Sequence, residues 1–255
     1  MALGSIYASN KNESWRDKLE TRYVKMVGVL DLHSHIRYAA IKRYFQPASN
    51  TVEIGAGIGI MTFAFASHTL GNIVGVIYAA EDLQVALRTL KKSKLPNVTF
   101  IQGGLPLLPL EREYYDQVLL IDVLEHVKED FESLMAINSV LKMGGALIIS
   151  VPTPDYPTYF GRAYANEVGH LRDGYTIRKL NELLLNSGFE TVKWAYHTNA
   201  LASRLCSLWY RTNLSFAIRH VLAPVSILLS KLDRWSSKKH SCGIVLLARK
   251  RSDVL

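Results

Sequence analysis

A glycine run, two histidines with acidic neighbours and a group of aromatics hold most of the chemistry that this chain could do. Thr51-Val52-Glu53-Ile54 is a short β-branched run leading into Gly55-Ala56-Gly57-Ile58-Gly59. An amphipathic stretch, Met61 to His68, follows. That order reads as strand, tight glycine turn and helix. Glycines let the backbone come close to a ligand, and the N–H groups of a helix start favour a polar or anionic group. Glu53 sets a carboxylate beside the turn. The dinucleotide fingerprint is G-x-G-x-x-G; here the third glycine comes one residue early, and position 60 is Ile. The Gly-Lys-Ser/Thr of a phosphate-binding loop is absent. These residues predict a site for a nucleoside-like cofactor of another kind.

Histidine suits proton removal near neutral pH. His126 follows Glu125 directly, and His170 lies near Asp173 and Tyr175. Both are candidate catalytic groups. His33 and His35 are two apart on a helical stretch and so lie on different faces, unlike a metal-binding i, i+4 pair. No group of His, Cys and carboxylates has metal-ligand spacing along the chain, so no metal is expected. Tyr156, Tyr159, Phe160 and Tyr164 make one loop strongly aromatic. A surface loop with that much apolar area is expected to cover something, here a hydrophobic substrate.

The elements that must position these groups alternate. Strands are expected at Val52–Ile54, Asn72–Tyr78, Asn97–Ile101, Gln117–Ile121, Ala146–Val151, Phe189–Tyr196 and Gly243–Ala248. Helices are expected at 58–67, 81–92, 127–141 and 176–186, with Gly188 as a stop after the last. Residues 13–45 read as two helices broken near 29–31. The fold class is therefore α/β, a Rossmann-like, doubly wound, mostly parallel sheet of about seven strands. At 255 residues and 49% hydrophobic, the chain can bury the large core that such a sheet needs. Two cysteines are too few for a disulfide scaffold, and residues 1–12 lack an apolar signal core, so a cytoplasmic setting is expected.

Longer runs carry a resemblance. Tyr115-Asp116-Gln117-Val118 through Asp122-Val123-Leu124-Glu125-His126-Val127, Leu141-Lys142-Met143-Gly144-Gly145, and His170 to Thr176 followed by Ser187-Gly188-Phe189 resemble, with the glycine turn, the ordered motifs of the class I S-adenosylmethionine-dependent methyltransferases (type 11-like). The match runs over about 48–198 plus the last strand. It implies a methyltransferase that uses S-adenosylmethionine on a fairly hydrophobic small molecule, by O-, N- or C-methylation. It also implies that Glu53, Gly55, Ala56, Gly57 and Gly59 hold the cofactor together with Asp122 and Val123. The N-terminal helix covers the cofactor in this family, which makes His35 and Tyr38 substrate candidates beside Tyr156, Tyr159, Phe160 and Tyr175.

Two positions depart from the family pattern. The acid that bonds the ribose would fall at Ile77, and the acid that accepts from the adenine amine would fall at Gly104. Each lost acceptor costs about 1–3 kcal/mol, so cofactor affinity would drop by roughly two to four powers of ten. Tyr78 and Glu81 are candidate compensations, with Gly104 and Leu105 lining the adenine side. The departures favour, as alternatives, a methyltransferase-fold protein that no longer methylates (a cyclase or isomerase), or a non-enzymatic membrane-associated binding protein.

The domain reading is an N-terminal helical cap (1–46), a core (47–198 and 241–255) and a helical insertion (199–240). The formal charge is +8, and the insertion carries seven basic residues against the single acid Asp233. Leu214, Ile218, Val221, Val225, Leu228 and Leu232 form a helical apolar stripe within it. Pro224 and the interrupting charges argue against a membrane span. The insertion is expected to be a lid, a peripheral membrane-surface helix or a dimer contact. No aromatic-basic nucleic-acid motif is present, so nucleic acid is not an expected partner.

Overall fold

The structure, a computed structural model, describes residues 32–93, 95–167, 169–211, 222, 224, 225 and 227–252, with only the backbone of 163, 164 and 209–211. The expected first N-terminal helix and Leu214, Ile218 and Val221 lie outside them. In chain order the elements are α1 (Leu32–Lys42), β1 (Asn50–Ile54), α2 (Ile60–Phe65), β2 (Asn72–Ile77), α3 (Ala80–Ser93), β3 (Val98–Gln102) and β4 (Tyr115–Ile121). A 3-10 turn (Leu124–His126), α4 (Asp130–Val140), β5 (Leu141–Pro152), α5 (Tyr156–Phe160), α6 (Arg162–Glu167), α7 (Ile177–Asn186) and β6 (Phe189–His197) follow. The last are α8 (Ala200–Arg211), a second 3-10 turn (Lys231–Trp235) and β7 (Gly243–Lys250).

The seven strands form one sheet in the order β3-β2-β1-β4-β5-β7-β6. All neighbours are parallel except β7, which runs antiparallel to both β5 and β6. β1 lies between β2 and β4, so Ile54 pairs with both Val76 and Leu120. Strand order reverses there. The two loops that leave β1 and β4 diverge at their carboxyl ends and open a crevice, the usual ligand position in such sheets.

Both sheet faces are apolar, as strands covered on two sides require. One face packs Val52, Ile54, Val118 and Leu120 with Leu134 and Ile137 of α4 and Leu180 and Leu184 of α7. The other packs Ile73, Ile77, Leu119 and Ile148 with Ile41 of α1, Phe65 of α2 and Ala86 of α3. Thr176 caps α7, its hydroxyl accepting from Lys179 N at 3.2 Å.

Two features differ from the sequence expectations, and a third gives the insertion its first described helix. β5 begins at Leu141 rather than Ala146, because the Met143-Gly144-Gly145 stretch is absorbed as an irregularity in its pairing with β4. The aromatic stretch after β5 is a short helix, not a loop: Pro157 sits in its first turn, where a missing N–H costs nothing. α8 appears within the insertion. Its N-terminal Asn199 and Ala202 N–H groups donate to the carboxylate of Asp233 at 2.7 and 2.9 Å.

Candidate functional site

The crevice is built from the β1 and β4 loops. Gly55 and Ala56 N–H both donate to Val76 O, at 3.0 and 2.9 Å, which ties the glycine turn to β2. Gly55 has φ +76°, and a Cβ there would lie 2.4 Å from Val123 Cγ2. Gly57 has φ +52° and open space where its Cβ would point. The turn is therefore shut against the protein at Gly55 and open at Gly57. Gly59 ends the turn and precedes α2.

Glu53 is buried, and the Thr62 hydroxyl donates to its Oε2. Burial raises its carboxyl to about 7, against a smaller pull downward from Thr62. The folded state thus keeps a proton that the unfolded chain loses near 4.5. The stability this adds is present below 4.5 and lost as pH rises through about 7. Glu53→Gln is expected to be more stable than the parent at about pH 8, by about 3 kcal/mol at most, and to lose that advantage near pH 5. Urea unfolding at the two pH values measures it.

Across the crevice, Asp122 follows β4 with φ +50°. Its Oδ1 accepts from Ser150 Oγ at 2.8 Å and its Oδ2 from Arg37 of α1. Burial acts to raise its carboxyl, but the charges of Arg37, His33 and His197 outweigh this and hold it low. Ser150 Oγ also meets His197 Nε2 at 3.2 Å. His197 is fully buried, and burial pushes it down to about 4.

The two predicted catalytic histidines come together. The rings of His126 and His170 meet edge to face, with centroids 4.8 Å apart. His126 Nδ1 lies 3.1 Å from Gly169 O. A carbonyl only accepts, so Nδ1 carries the proton and Nε2 keeps its lone pair. That Nε2 lies 3.9 Å from Glu125 Oε1. Glu125 is buried, its Oε2 has no hydrogen-bond partner, and neither has His170 Nδ1. Burial, then the charge of Asp122, raises Glu125 well above the carboxylate range. Burial, then His126, lowers His170. Both shifts favour the uncharged forms, the acid of Glu125 behind His126 and the neutral ring of His170.

Sequence spacing gave no ligand set, yet the ligand atoms of Glu125, His126 and His170 lie within 4.8 Å of one another. The fold joins residues 44 positions apart through Leu171 N donating to Glu125 O at 3.0 Å. Arg172 fixes the same loop, donating to Asp130, to Tyr175 Oη and to Val127 O.

Beside this pair, Tyr156 stacks on Phe160 at 4.5 Å and lies 5.1 Å from His170. His33 stacks on Phe160 at 5.6 Å. Tyr159 is half-buried against the same cluster, and its carbonyl accepts from Ser207 Oγ of α8 at 2.6 Å.

Three proposed substrate residues lie off the aromatic wall. Tyr175 is fully buried and its hydroxyl is spent on Arg172, Asp130 and Leu124 O, so it braces the loop. Tyr38 packs on Phe65, with its hydroxyl 3.3 Å from His68 Nε2. His35 lies on a different face of α1, in a separate cavity; His33 is the histidine that faces the aromatic pair.

At the end of β2, Ile77 is buried in the core and Tyr78 is 80% exposed. The Tyr78 ring lies against Gly104: a Cβ there would sit 2.7 Å from its Cδ2. A side chain at 104 would meet the Tyr78 ring where it now lies. Leu105 is partly buried against the core. Glu81 is exposed in the first turn of α3, where its charge complements the helix end.

Fold and site together define a doubly wound protein with a glycine turn open at Gly57 and a pair of histidine rings after β4. A family model described as a methyltransferase domain matches residues 52–149. An uncharacterized transposon protein of Streptomyces fradiae is 31% identical over 56% of this chain and 44% of its own. Demethylmenaquinone methyltransferase of Lactococcus lactis is 23% identical over 75% and 87%. Geranyl diphosphate C-methyltransferase from Streptomyces coelicolor superposes with TM-score 0.64 and 12% identity, over 98% and 88%. Of several other curated relatives the chain spans about two fifths of the length. Residues 52–149 thus resemble a methyltransferase domain, and the relatives named for an activity are methyltransferases.

The cofactor of this family is S-adenosylmethionine, and the cradle fits it. Gly57 leaves room, and Gly57 and Ile58 N–H have no bonds among the described residues. Tyr78 offers an exposed ring at the far end.

Proposed function

We propose that the chain transfers a methyl group from S-adenosylmethionine to a fairly apolar small molecule, and that the Glu125–His126–His170 cluster takes the acceptor's proton. The observation that carries this is the edge contact of His126 and His170 beside the stacked Tyr156 and Phe160. The cofactor supplies an electrophilic methyl on a cationic sulfur. The chain's residues orient the acceptor, hold it in line and accept a proton. His126 Nε2 is the accepting atom, its tautomer set by Gly169 O. His170 lies against it as a neutral ring, and protonated Glu125 lies behind, so no second fixed positive charge opposes protonation. Tyr156, Phe160 and His33 form an apolar wall for the acceptor body. Two similar proteins are named for demethylmenaquinone and geranyl diphosphate, both largely hydrocarbon, which supports an apolar acceptor. Gly55–Gly59 and Asp122 serve the methionine end, and Tyr78 and Gly104 the adenosine end.

The test is incubation with S-adenosylmethionine and a panel of quinol, phenol and isoprenoid acceptors, read by mass. The expected result is an acceptor heavier by one methylene, with equimolar S-adenosylhomocysteine. Conversion of an acceptor without cofactor, or without that mass gain, would contradict the reading and favour a cyclase or isomerase.

A further inference from the structure

A second cavity, of about 240 Å³, opens on the face of α1 that carries His35 and Arg43. Its other walls are the end of β6 (Ala195–Asn199) and residues Lys231, Arg234 and Lys238. Arg43, Lys231, Arg234 and Lys238 are exposed, and none has an ion-pair partner among the described residues. The single acid of this wall, Asp233, cannot balance them. It is buried, and its carboxylate accepts from Asn199 N, Ala202 N and, at 2.8 Å, Ser236 Oγ.

Apolar surface borders these cations. Val225, Leu228, Leu232 and Trp235 are 54%, 62%, 46% and 68% exposed. Their intervals of three and four place them on one helical stripe. Ile227 is the neighbour that packs inward, with Leu32 and Cys206. The described part of the stripe therefore faces outward. Arg234 lies over the Trp235 ring at 3.8 Å, which joins the charged and apolar parts into one surface.

We propose that this face seats on an anionic phospholipid membrane, with Leu228, Leu232 and Trp235 at the acyl boundary and lipid phosphates on Arg43, Lys231, Arg234 and Lys238. Unpaired cations beside an outward apolar stripe are complementary to that interface and to little else. A symmetric dimer through the same face would bring the cations toward their own copies, which costs energy. A free phosphate would satisfy the cations and leave the stripe in water. No described helix is long and apolar enough to cross a membrane, which fits attachment from one side. The inference does not rest on methyl transfer, because its readout needs no turnover.

The test is flotation of the full chain with vesicles of phosphatidylcholine alone and with about a third phosphatidylserine. Binding is expected to the anionic vesicles only and to weaken with salt. Each of Lys231→Ala, Arg234→Ala and Lys238→Ala is expected to weaken it roughly fivefold, and the triple variant about a hundredfold. The corresponding Lys→Arg variants should retain it. Leu228→Glu should abolish it, with circular dichroism confirming the fold. Equal binding to neutral vesicles would overturn the proposal, as would a triple variant that binds like the parent. So would inorganic phosphate binding at the cavity with no vesicle binding, or a dimer in light scattering that Leu228→Glu splits.

Discussion

Gly55→Ala is expected to lose cofactor binding by two to three powers of ten and to unfold more easily than the parent. At φ +76° an L side chain meets its own backbone, at a cost of about 1–2 kcal/mol. The added methyl would also lie 2.4 Å from Val123 Cγ2, and overpacking of this kind costs about 1–3 kcal/mol. The turn cannot retreat, since Gly55 and Ala56 are both bonded to Val76 O. The strain must go into Val123, between Asp122 and the turn that carries Glu125 and His126. Gly57→Ala is the informative contrast. Its methyl meets no protein atom, so stability should fall by only about 1–2 kcal/mol. It would occupy space reserved for the ligand, so affinity for S-adenosylhomocysteine should drop roughly ten- to a hundredfold. Thermal unfolding and titration of both variants separate the two effects. A Gly57→Ala protein that binds like the parent would remove the cradle from the account.

His126→Gln and His170→Gln are each expected to lower kcat by roughly a hundredfold to ten-thousandfold, with cofactor affinity within a fewfold of the parent. The double variant should cost little more than the worse single one, because the two rings act as a unit. The sign of the pH dependence follows from His170. Burial and the neighbouring ring lower its pKa from the ordinary 6.5, so it stays neutral in mildly acidic solution. The His170 ring should therefore titrate below 6.5 in the parent, which NMR of the histidine ring protons would read. If these histidines only lined the pocket, the variants would raise KM and leave kcat unchanged.

The sheet was legible because parallel strands covered on both faces read as continuous apolar runs, and Val52–Ile54 and Val118–Ile121 do so. The glycine turn was legible because its spacing is local. The rest of the site is not local. Arg37 meets Asp122 across 85 positions, and His126 meets Gly169 O across 43. No periodicity encodes such pairs. Glu125 stood in plain view inside the fourth-strand motif, but only its burial and its approach to His126 single it out. Tyr175 misled for the opposite reason: an aromatic beside His170 resembles a substrate wall until Arg172 and Asp130 claim its hydroxyl. One signal was available and unread: Pro157 opens α5 where a helix tolerates proline.

Tyr78 against Gly104 bears on the cofactor as a whole. Ile77 and Gly104 offer no carboxylate there, and the exposed Tyr78 ring offers stacking surface instead. Weaker binding than a site with both acids is the expected consequence, not loss of binding. The measurement that tests this most directly is calorimetric titration of the chain with S-adenosylmethionine and S-adenosylhomocysteine. The prediction is one site per chain, with a dissociation constant in roughly the micromolar to sub-millimolar range. The absence of any binding heat at about millimolar cofactor would contradict it.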